Sequence, residues 1–360
     1  MSADMATVDI ARNIPLAPLT TIGLGGNASH FLSCTSVDDI RTGLIFAEDH
    51  RLPVQVLSGG SNIIFRDEGF NGLVMKVDLR GIAFREEGSE TTAMVAAGEV
   101  WDALVRQAIE RGCAGIECLS GIPGSVGATP IQNVGAYGQE VRDTILMVQA
   151  FDRRTGEMVE FSNDECEFAY RQSRFKSRDA NRFIVTQVTF RLRAEGEPQI
   201  RYGELSQLLE STSGTARLPG GATSLEAVRS AVLTLRRRKS MVVDREDPHS
   251  RSCGSFFTNP VLTAGEFSAL RARWEPSGGT EDIPAFVTGE TVKVSAAWLV
   301  EHAGFHKGYR KGGVGVSSHH SLALVNYGGT TTELLRLAEE IASAIEDQFG
   351  VRLQREPVVA

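Results

Sequence analysis

The sequence predicts an α+β fold, and three observations carry that prediction. Strand-like runs rich in Val, Ile, Thr and Phe crowd the first half of the chain. Runs with helical periodicity and capping signals gather in the second half. The two kinds do not alternate regularly, as a chain of βαβ units would require. At about 100–200 residues per domain, 360 residues suit two or three domains.

In chain order, Ser36 can cap a helix carrying Ile40, Leu44 and Ile45. The runs VQVL (54–57), GLVMKV (72–77), TAMVAA (92–97) and ILMVQAF (145–151) have the apolar content of strands. Residues 99–111 form an amphipathic helix, with Trp101, Leu104, Val105, Ala108 and Ile109 on one face and Gly112 as its stop. FIVTQVTFRL (183–192) is the longest strand. STSGTARLPGGAT (211–223) reads as a loop and a boundary. A capping box from Thr223 to Glu226 then opens a helix running to about Lys239. Another helix, around 295–303, stops at Gly304. The last opens with a capping box from Thr330 to Glu333 and closes at Gly350, and an alternating strand over 351–356 follows it.

Composition narrows the function. The chain is 42% hydrophobic and 23% charged, which excludes disorder and collagen-like structure. Lys plus Arg number 37 against 45 Asp plus Glu, a net charge of -8. That balance argues against a broad nucleic-acid surface and leaves room for a local basic pocket. The N-terminus has no basic start followed by an apolar run, and no apolar stretch approaches about 18 residues. A cytoplasmic protein with no membrane contact is expected. Five cysteines without a C-x-x-C pair fit a reduced chain without structural zinc.

Several motifs fail on their context. GLGGNA (23–28) fits a dinucleotide fingerprint, but PLAPLTT precedes it where a buried strand is needed. No Gly-Lys dipeptide occurs, so there is no P-loop. His302 and His306 stand four apart with Gly304 between them, and His319 and His320 are adjacent; neither spacing suits a metal, and none is expected.

Two glycine-rich stretches are more informative. LSGGSNIIF (57–65) follows the strand VQVL, and LSGIPGSVGATPIQNVGAYGQEV (119–141) carries five glycines. Small residues in tight turns expose backbone N–H groups and let an anion approach. Either alone reads equally well as a structural turn; together they suggest a bound pyrophosphate. EFAYRQSRFKS (167–177) could be a solvated basic face, but Phe168 and Tyr170 beside Arg171 suit a partly buried arginine. RRRKS (236–240) is what any helix C-terminus favours. CGSFFTNP (253–260) puts a hydroxyl beside apolar bulk, and GFHKGYRKGGVGVSSHHSLALVN (304–326) is a basic, Gly-rich loop feeding a strand.

Taken in this order, these segments resemble the UDP-N-acetylenolpyruvoylglucosamine reductase (MurB) family. The resemblance runs from LTTIGLGGNASHF (19–31) to LQREP (353–357). It implies an FAD-binding fold of the vanillyl-alcohol-oxidase-like (PCMH-type) class in two subdomains, plus a C-terminal α+β substrate-binding domain. The expected segments are 1–75 joined by 340–360, then 76–204, then 215–330. The implied activity makes UDP-N-acetylmuramate for peptidoglycan, and so serves cell-wall biogenesis, cell shape and division. FAD would be non-covalent, NADPH the co-substrate, the UDP-sugar the substrate, and the protein a monomer.

Residue by residue, the resemblance gives Gly59, Gly60, Ser61 and Asn62, then Gly121, Ile122, Ser125, Val126 and Gly127, to the cofactor. Tyr170 and Arg171 match the family's Tyr-Arg pair, Ser255 its proton-donating serine and Glu356 its late glutamate. Arg171, Ser255 and Glu356 would be catalytic; Tyr170, Tyr202, Lys239 and Asn259 would bind substrate. The turn Tyr202-Gly203-Glu204 resembles the type I branch, and Arg236 and Lys239 match an R-x-x-K helix end. Two departures stand out. The segment after Lys239 (SMVVDREDPHSRSC) is longer and more charged than in some relatives, and only four residues follow Glu356.

The implied substrate is an enol ether conjugated to a carboxylate. Hydride addition to its vinyl carbon from reduced flavin leaves an enolate. Arg171 can stabilise that charge with a planar fork of donors. Ser255 can protonate the enolate carbon. Glu356 fits beside an anion if it is protonated or if it orients Arg171. A sugar or alcohol oxidase on the same FAD fold is the alternative, but no histidine for covalent flavin attachment lies in 57–65 or 119–141. A catalytically dead nucleotide-sugar-binding protein is a third reading, against which the retention of Arg171, Ser255 and Glu356 counts.

Overall fold

The computed structural model describes residues 9–215, 217–275 and 281–360. The chain forms two compact units. The first comprises the described part of Met1–Ile14, with Ala28–Gly60 and Phe70–Val242; the second comprises Pro15–Asn27, Ser61–Gly69 and Val243–Ala360.

The first unit holds two sheets. One has the strand order 11–15, 27–34, 70–77, 54–57, and both Asn27–Cys34 and Val54–Leu57 pair parallel with Phe70–Val77. The other is antiparallel and runs 158–162, 145–152, 183–193, 90–96, 82–87. The 11-residue Phe183–Arg193 sits at its centre, and it is buried or half-buried at every position but Arg191. Helix α1 (Val37–Asp49) has the predicted Ser36 cap, completed by Asp39 into a capping box. It buries Ile40, Gly43 and Ala47, while Ile45 is 42% exposed. At about 100° per residue Ile45 lies roughly 140° round from Ile40, too far to share its face.

Helix α2 (Trp101–Glu110) buries the five predicted residues. Trp101 donates its indole N–H to the Leu119 carbonyl at 3.0 Å and tilts against Phe190 at 5.8 Å between ring centres. Helices α3 (Gly203–Ser213) and α4 (Ala222–Arg238) close a small core of Cys118, Leu205, Leu209, Val228, Val232 and Leu235. The expected capping box at Thr223 does not form. Gly221, at φ +98°, is the N-cap and no side chain caps the helix. Nor is 211–223 a boundary, because α3 and α4 pack on each other within one unit. The segments expected from the sequence therefore do not coincide with these units: α4 belongs to the first, and the division falls after Val242.

The second unit contains α5 (Ala264–Trp274), α6 (Ala296–His302) and α7 (Thr331–Phe349). Ser295 caps α6; the Thr330–Glu333 box opens α7 and Gly350, at φ +71°, closes it, as predicted. Leu334, Leu337, Ile341, Ile345 and Phe349 turn the inner face of α7 into the unit's core. Two three-stranded antiparallel sheets, 261–263/291–294/285–288 and 310–311/314–316/324–326, complete it. Residues 351–356 are not the predicted strand. Val351 and Leu353 are buried in the core, and backbone pairing in this stretch is confined to an isolated antiparallel bridge between Arg355 and Phe257. The ladder forms two residues later, where Val358–Val359 pairs parallel with Ile63–Ile64.

GLGGNA follows a 3-10 turn (Ala17–Leu19) and leads into a strand, not a helix, so it is no dinucleotide fingerprint. His302 stacks on Trp298 at 3.9 Å. Among the described residues no group of three or more His, Cys, Asp or Glu could hold a metal, and no helix is long and apolar enough to cross a membrane.

Candidate active site

Within the first unit the two glycine turns meet. A Cβ added to Gly59 would lie 2.5 Å from Gly124 Cα and 2.7 Å from Ser125 N, so backbone packs directly on backbone. Gly124 sits at φ +119°, a conformation L side chains rarely adopt. The second turn is pinned from α2 and the strand before it. Trp101 N–H donates to the Gly124 carbonyl at 3.0 Å, and Gly121 N–H donates to the Asp102 carboxylate at 2.6 Å. Val126 and Gly127 donate their N–H groups to the carbonyls of Glu99 (2.8 Å) and Ala97 (2.9 Å). Gly121, Val126 and Gly127 thus spend their N–H groups on the scaffold. Among the described residues, those of Ile122, Gly124 and Ser125 donate to no backbone carbonyl.

Does this cradle fit a flavin nucleotide? The Ser58 hydroxyl, at the head of the first turn, is buried and has no partner in the protein. Such a group calls for an acceptor supplied from outside. Together with the Gly59 to Gly124 approach, it fits a phosphate-bearing ligand seated on both turns.

Arg171 belongs to the same unit and is tied to the second glycine stretch. Its Nη2 donates to the Gly135 carbonyl at 2.7 Å and its Nη1 to that of Asn133 at 3.4 Å. Its backbone is left-handed, at φ +53°, and its guanidinium lies 5.9 Å from the Tyr170 ring centre. Asn133 Nδ2 donates to the Ala169 carbonyl at 3.0 Å, and Ser173 Oγ to that of Ile131 at 2.6 Å. Segment 167–177 is therefore laced to 131–135 rather than being a solvated basic face.

The predicted substrate residues Tyr202 and Lys239 also come together. Lys239 pairs with Glu204 at 2.5 Å, and its Nζ stands 5.9 Å from the Tyr137 ring centre. Tyr137 meets Tyr202 edge-on at 5.3 Å. Burial, with a smaller contribution from Glu204, pushes the Tyr137 hydroxyl up to about 12 despite the pull of Arg236. Tyr137 was not among the sequence candidates. Its signal was an aromatic between two glycines in GAYGQE, and its φ of +49° shows that it too is held in a left-handed turn.

The remaining candidates lie in the second unit. Phe256 and Phe257 are buried edge to face at 5.2 Å, which fixes the half-buried Ser255 beside them. Phe256 N–H donates to Leu322 O at 2.7 Å, and Phe256 O accepts from Glu356 N–H at 2.8 Å. Glu356 is therefore registered one residue from Ser255. Asn62 Nδ2 reaches the Glu356 carbonyl at 3.4 Å, and Val358 N–H donates to Asn62 O at 3.1 Å. Burial, aided by the Glu356 carboxylate, pushes the Cys253 thiol up to about 12. Asn259 already uses its side-chain oxygen, which accepts from Ala296 N–H at the start of α6 at 2.9 Å. Its amide nitrogen can still donate to a ligand. Ser61 lies in this unit as well.

Comparison with known proteins fits this inventory. A model described as an FAD binding domain matches residues 28–162, and one described as the UDP-N-acetylenolpyruvoylglucosamine reductase C-terminal domain matches 247–360. The UDP-N-acetylenolpyruvoylglucosamine reductase of Streptomyces coelicolor is 47% identical over 362 residues, covering 99% of this chain and 92% of its own. That of Thermobifida fusca is 46% identical over 358 residues, covering 98% of each. The crystal structure of the Thermus caldophilus reductase (MurB) shares the fold with a TM-score of 0.64 at 22% identity, over 98% of this chain and 99% of that one. The α+β chain with its FAD-binding and C-terminal domains belongs to the UDP-N-acetylenolpyruvoylglucosamine reductase family.

Proposed function

We propose that this protein uses FAD and NADPH to reduce UDP-N-acetylglucosamine enolpyruvate to UDP-N-acetylmuramate. The observation that carries the reading is the meeting of the two glycine turns at Gly59 and Gly124, with the orphaned Ser58 hydroxyl at its edge. When bound, FAD supplies the hydride chemistry, taking electrons from NADPH and giving them to the vinyl carbon of the substrate.

The chain's own residues do the rest. Ser58 and the N–H groups of Ile122, Gly124 and Ser125 hold the pyrophosphate. Arg171, braced by two carbonyls, keeps its fork fixed and stabilises the enolate charge without reorganising. Ser255 Oγ gives its proton to the enolate carbon, and solvent returns a proton to the serine. Glu356 holds its neighbours in register and either donates as a neutral acid or orients the substrate carboxylate. Lys239 and Tyr202 bind the nucleotide diphosphate, with Tyr170 and the amide nitrogen of Asn259 as further contacts. Lys239 must loosen its pair with Glu204 to do so. The same reading includes a cytoplasmic monomer that feeds cell-wall biogenesis, and through it cell shape and division.

The purified protein should be yellow with an oxidised-flavin spectrum, and acid precipitation should release the colour into the supernatant. A colourless protein contradicts the reading. Colour that stays with the pellet points to an oxidase with covalent flavin.

A further inference from the structure

Glu117 opens the 3-10 turn Glu117–Leu119, just ahead of the second glycine turn, and has no solvent exposure. The donors that reach its carboxylate are neutral: Gly115 N–H at 2.7 Å, Gln139 Nε2 at 2.8 Å and Gln199 N–H at 3.4 Å. Gln139 is buried as well, and its side-chain oxygen accepts from Cys118 N–H at 2.8 Å. The two side chains form a two-way clasp, in which Gln139 gives a hydrogen bond to Glu117 and takes one from the next residue. Both ends of the amide are fixed, because a backbone N–H can only donate and a carboxylate only accept.

What the clasp docks is a hairpin. Gly135 and Ala136 pair with Glu140 and Gln139 in a ladder two residues long, around a turn of Tyr137 (φ +49°) and Gly138 (φ +82°). So short a hairpin is marginal by itself. Gln139 fastens it to the turn that leads into the glycine loop, and Asn133 Nδ2, donating to Glu140 Oε2 at 2.8 Å, fastens its entry. Packing leaves little slack, since a Cβ on Gly135 would stand 2.9 Å from the Gln139 carbonyl oxygen. The first strand of the hairpin carries the Gly135 carbonyl, which takes the 2.7 Å bond from Arg171 Nη2. A buried carboxylate and amide are costly unless their bonds are kept, so the hairpin is held in one place, and with it the carbonyl that braces Arg171.

We infer that Glu117 and Gln139 are positioning residues for Arg171: their clasp sets the 135–140 hairpin, and the Gly135 carbonyl thereby aims the guanidinium at the charge that develops on the substrate. The inference rests on the functional reading above and extends it to two residues that bind neither FAD nor substrate in that reading. Flavin reduction by NADPH makes no use of Arg171 there, so the clasp should matter to one half-reaction and not to the other. The clasp can also be reversed. In the double variant Glu117→Gln/Gln139→Glu, the new amide nitrogen donates to the new carboxylate, whose other oxygen still accepts from Cys118 N–H. The new amide oxygen still accepts from Gly115 N–H. Glu117→Gln alone sets one amide donor against another, and turning the Gln139 amide over only moves the clash to Cys118 N–H.

The test uses the holoenzyme and its variants Gln139→Met, Glu117→Gln and the reversed pair, followed by anaerobic stopped-flow absorbance of the flavin. Gln139→Met and Glu117→Gln should be reduced by NADPH at nearly the wild-type rate. Their reoxidation by UDP-N-acetylglucosamine enolpyruvate should slow about ten- to a hundredfold, the cost of misplacing a reacting group by up to an ångström. The reversed pair should regain most of that loss. In an Arg171→Ala background, itself slow, Gln139→Met should add little, since its effect passes through the arginine. If Gln139→Met reoxidises like wild type and only its melting temperature falls, the clasp is structural and the inference is wrong. It is equally wrong if both half-reactions slow together or flavin is lost, because the clasp then serves the cofactor turn. A reversed pair no faster than Glu117→Gln also overturns it. Should Gln139→Met fail to fold, Glu117→Gln and the reversed pair decide by the same two rates. A wild-type flavin that the enolpyruvyl substrate does not reoxidise would sink the functional reading; a wild type that is reoxidised, with variants that match it, sinks this inference alone.

Discussion

Gly59 and Gly124 touch through their backbones, with a gap too small for any side chain on Gly59. Gly59→Ala should force the two turns apart, because its Cβ would meet backbone that cannot rotate away. Overpacking of this kind costs about 1–3 kcal/mol. Gly124→Val adds a β-branched side chain at φ +119°, which is worse. Both variants should be purified with less bound flavin than wild type, read as the ratio of visible to ultraviolet absorbance. Full flavin content in Gly59→Ala would show that the contact does not shape the cofactor site.

Lys239 and Glu204 form an ion pair that the substrate diphosphate must compete with. Lys239→Ala and Tyr202→Phe should raise KM far more than they lower kcat. Glu204→Gln should act in the other direction, lowering KM by freeing Lys239. Steady-state kinetics at saturating NADPH measures all three. An unchanged KM in Lys239→Ala would move the diphosphate elsewhere.

The half-buried Asp102 joins α2, α4 and the second glycine turn. Burial opposes its ionisation, but the bonds from Arg229 and Gly121 win and hold its carboxyl below the ordinary 3.8. Its contribution to stability is therefore present above pH ~4 and is lost as the pH falls through the lowered folded value. Asp102→Asn leaves Arg229 without its counter-charge. The expected loss is about 2–3 kcal/mol at pH 7, scaled down from a fully buried pair. Urea unfolding should show this loss at neutral pH and a smaller gap between variant and wild type at pH 3. Equal gaps at both values would mean that the carboxylate charge is not what stabilises.

Local rules made much of this fold legible. The face of α2 was readable because its five apolar residues recur at helical spacing and all five are buried. The caps of α1 and α7 were readable because Ser36 and Thr330 each have an acidic partner three residues on. The same signal misled at Thr223, where the preceding Gly221 takes the cap position. The 351–356 alternation misled because the buried Val351 and Leu353 look alike whether their segment forms a full ladder or, as here, only a single bridge at Arg355. In the site, glycine turns and motif residues could be named from the sequence. Which N–H groups stay free could not, since Asp102, Glu99 and Ala97 claim three of them through tertiary contacts. Nor could the unpartnered Oγ of Ser58 or Nε of Arg236 be read from the sequence, although Arg236 stands in the R-x-x-K match, because an orphaned donor is defined by its surroundings and not by its residue type.

Ser255 is held beside two buried phenylalanines and one residue from the pairing with Glu356. If it is the proton donor, Ser255→Ala should accept electrons from NADPH at nearly the wild-type rate. Its reoxidation by the enolpyruvyl substrate should slow by about 10²–10⁴, the usual share of a positioned acid. Ser255→Cys should recover part of the loss. Fast reoxidation in Ser255→Ala removes the serine from the chemistry and leaves it a packing role.

The most direct test of the account is anaerobic stopped-flow absorbance of the wild-type flavin in both half-reactions. NADPH should bleach the flavin band, and UDP-N-acetylglucosamine enolpyruvate, in the absence of oxygen, should restore it with formation of UDP-N-acetylmuramate. A flavin that ignores NADPH, is bleached by a sugar or alcohol and recovers only when oxygen is admitted would contradict the account and make the protein an oxidase.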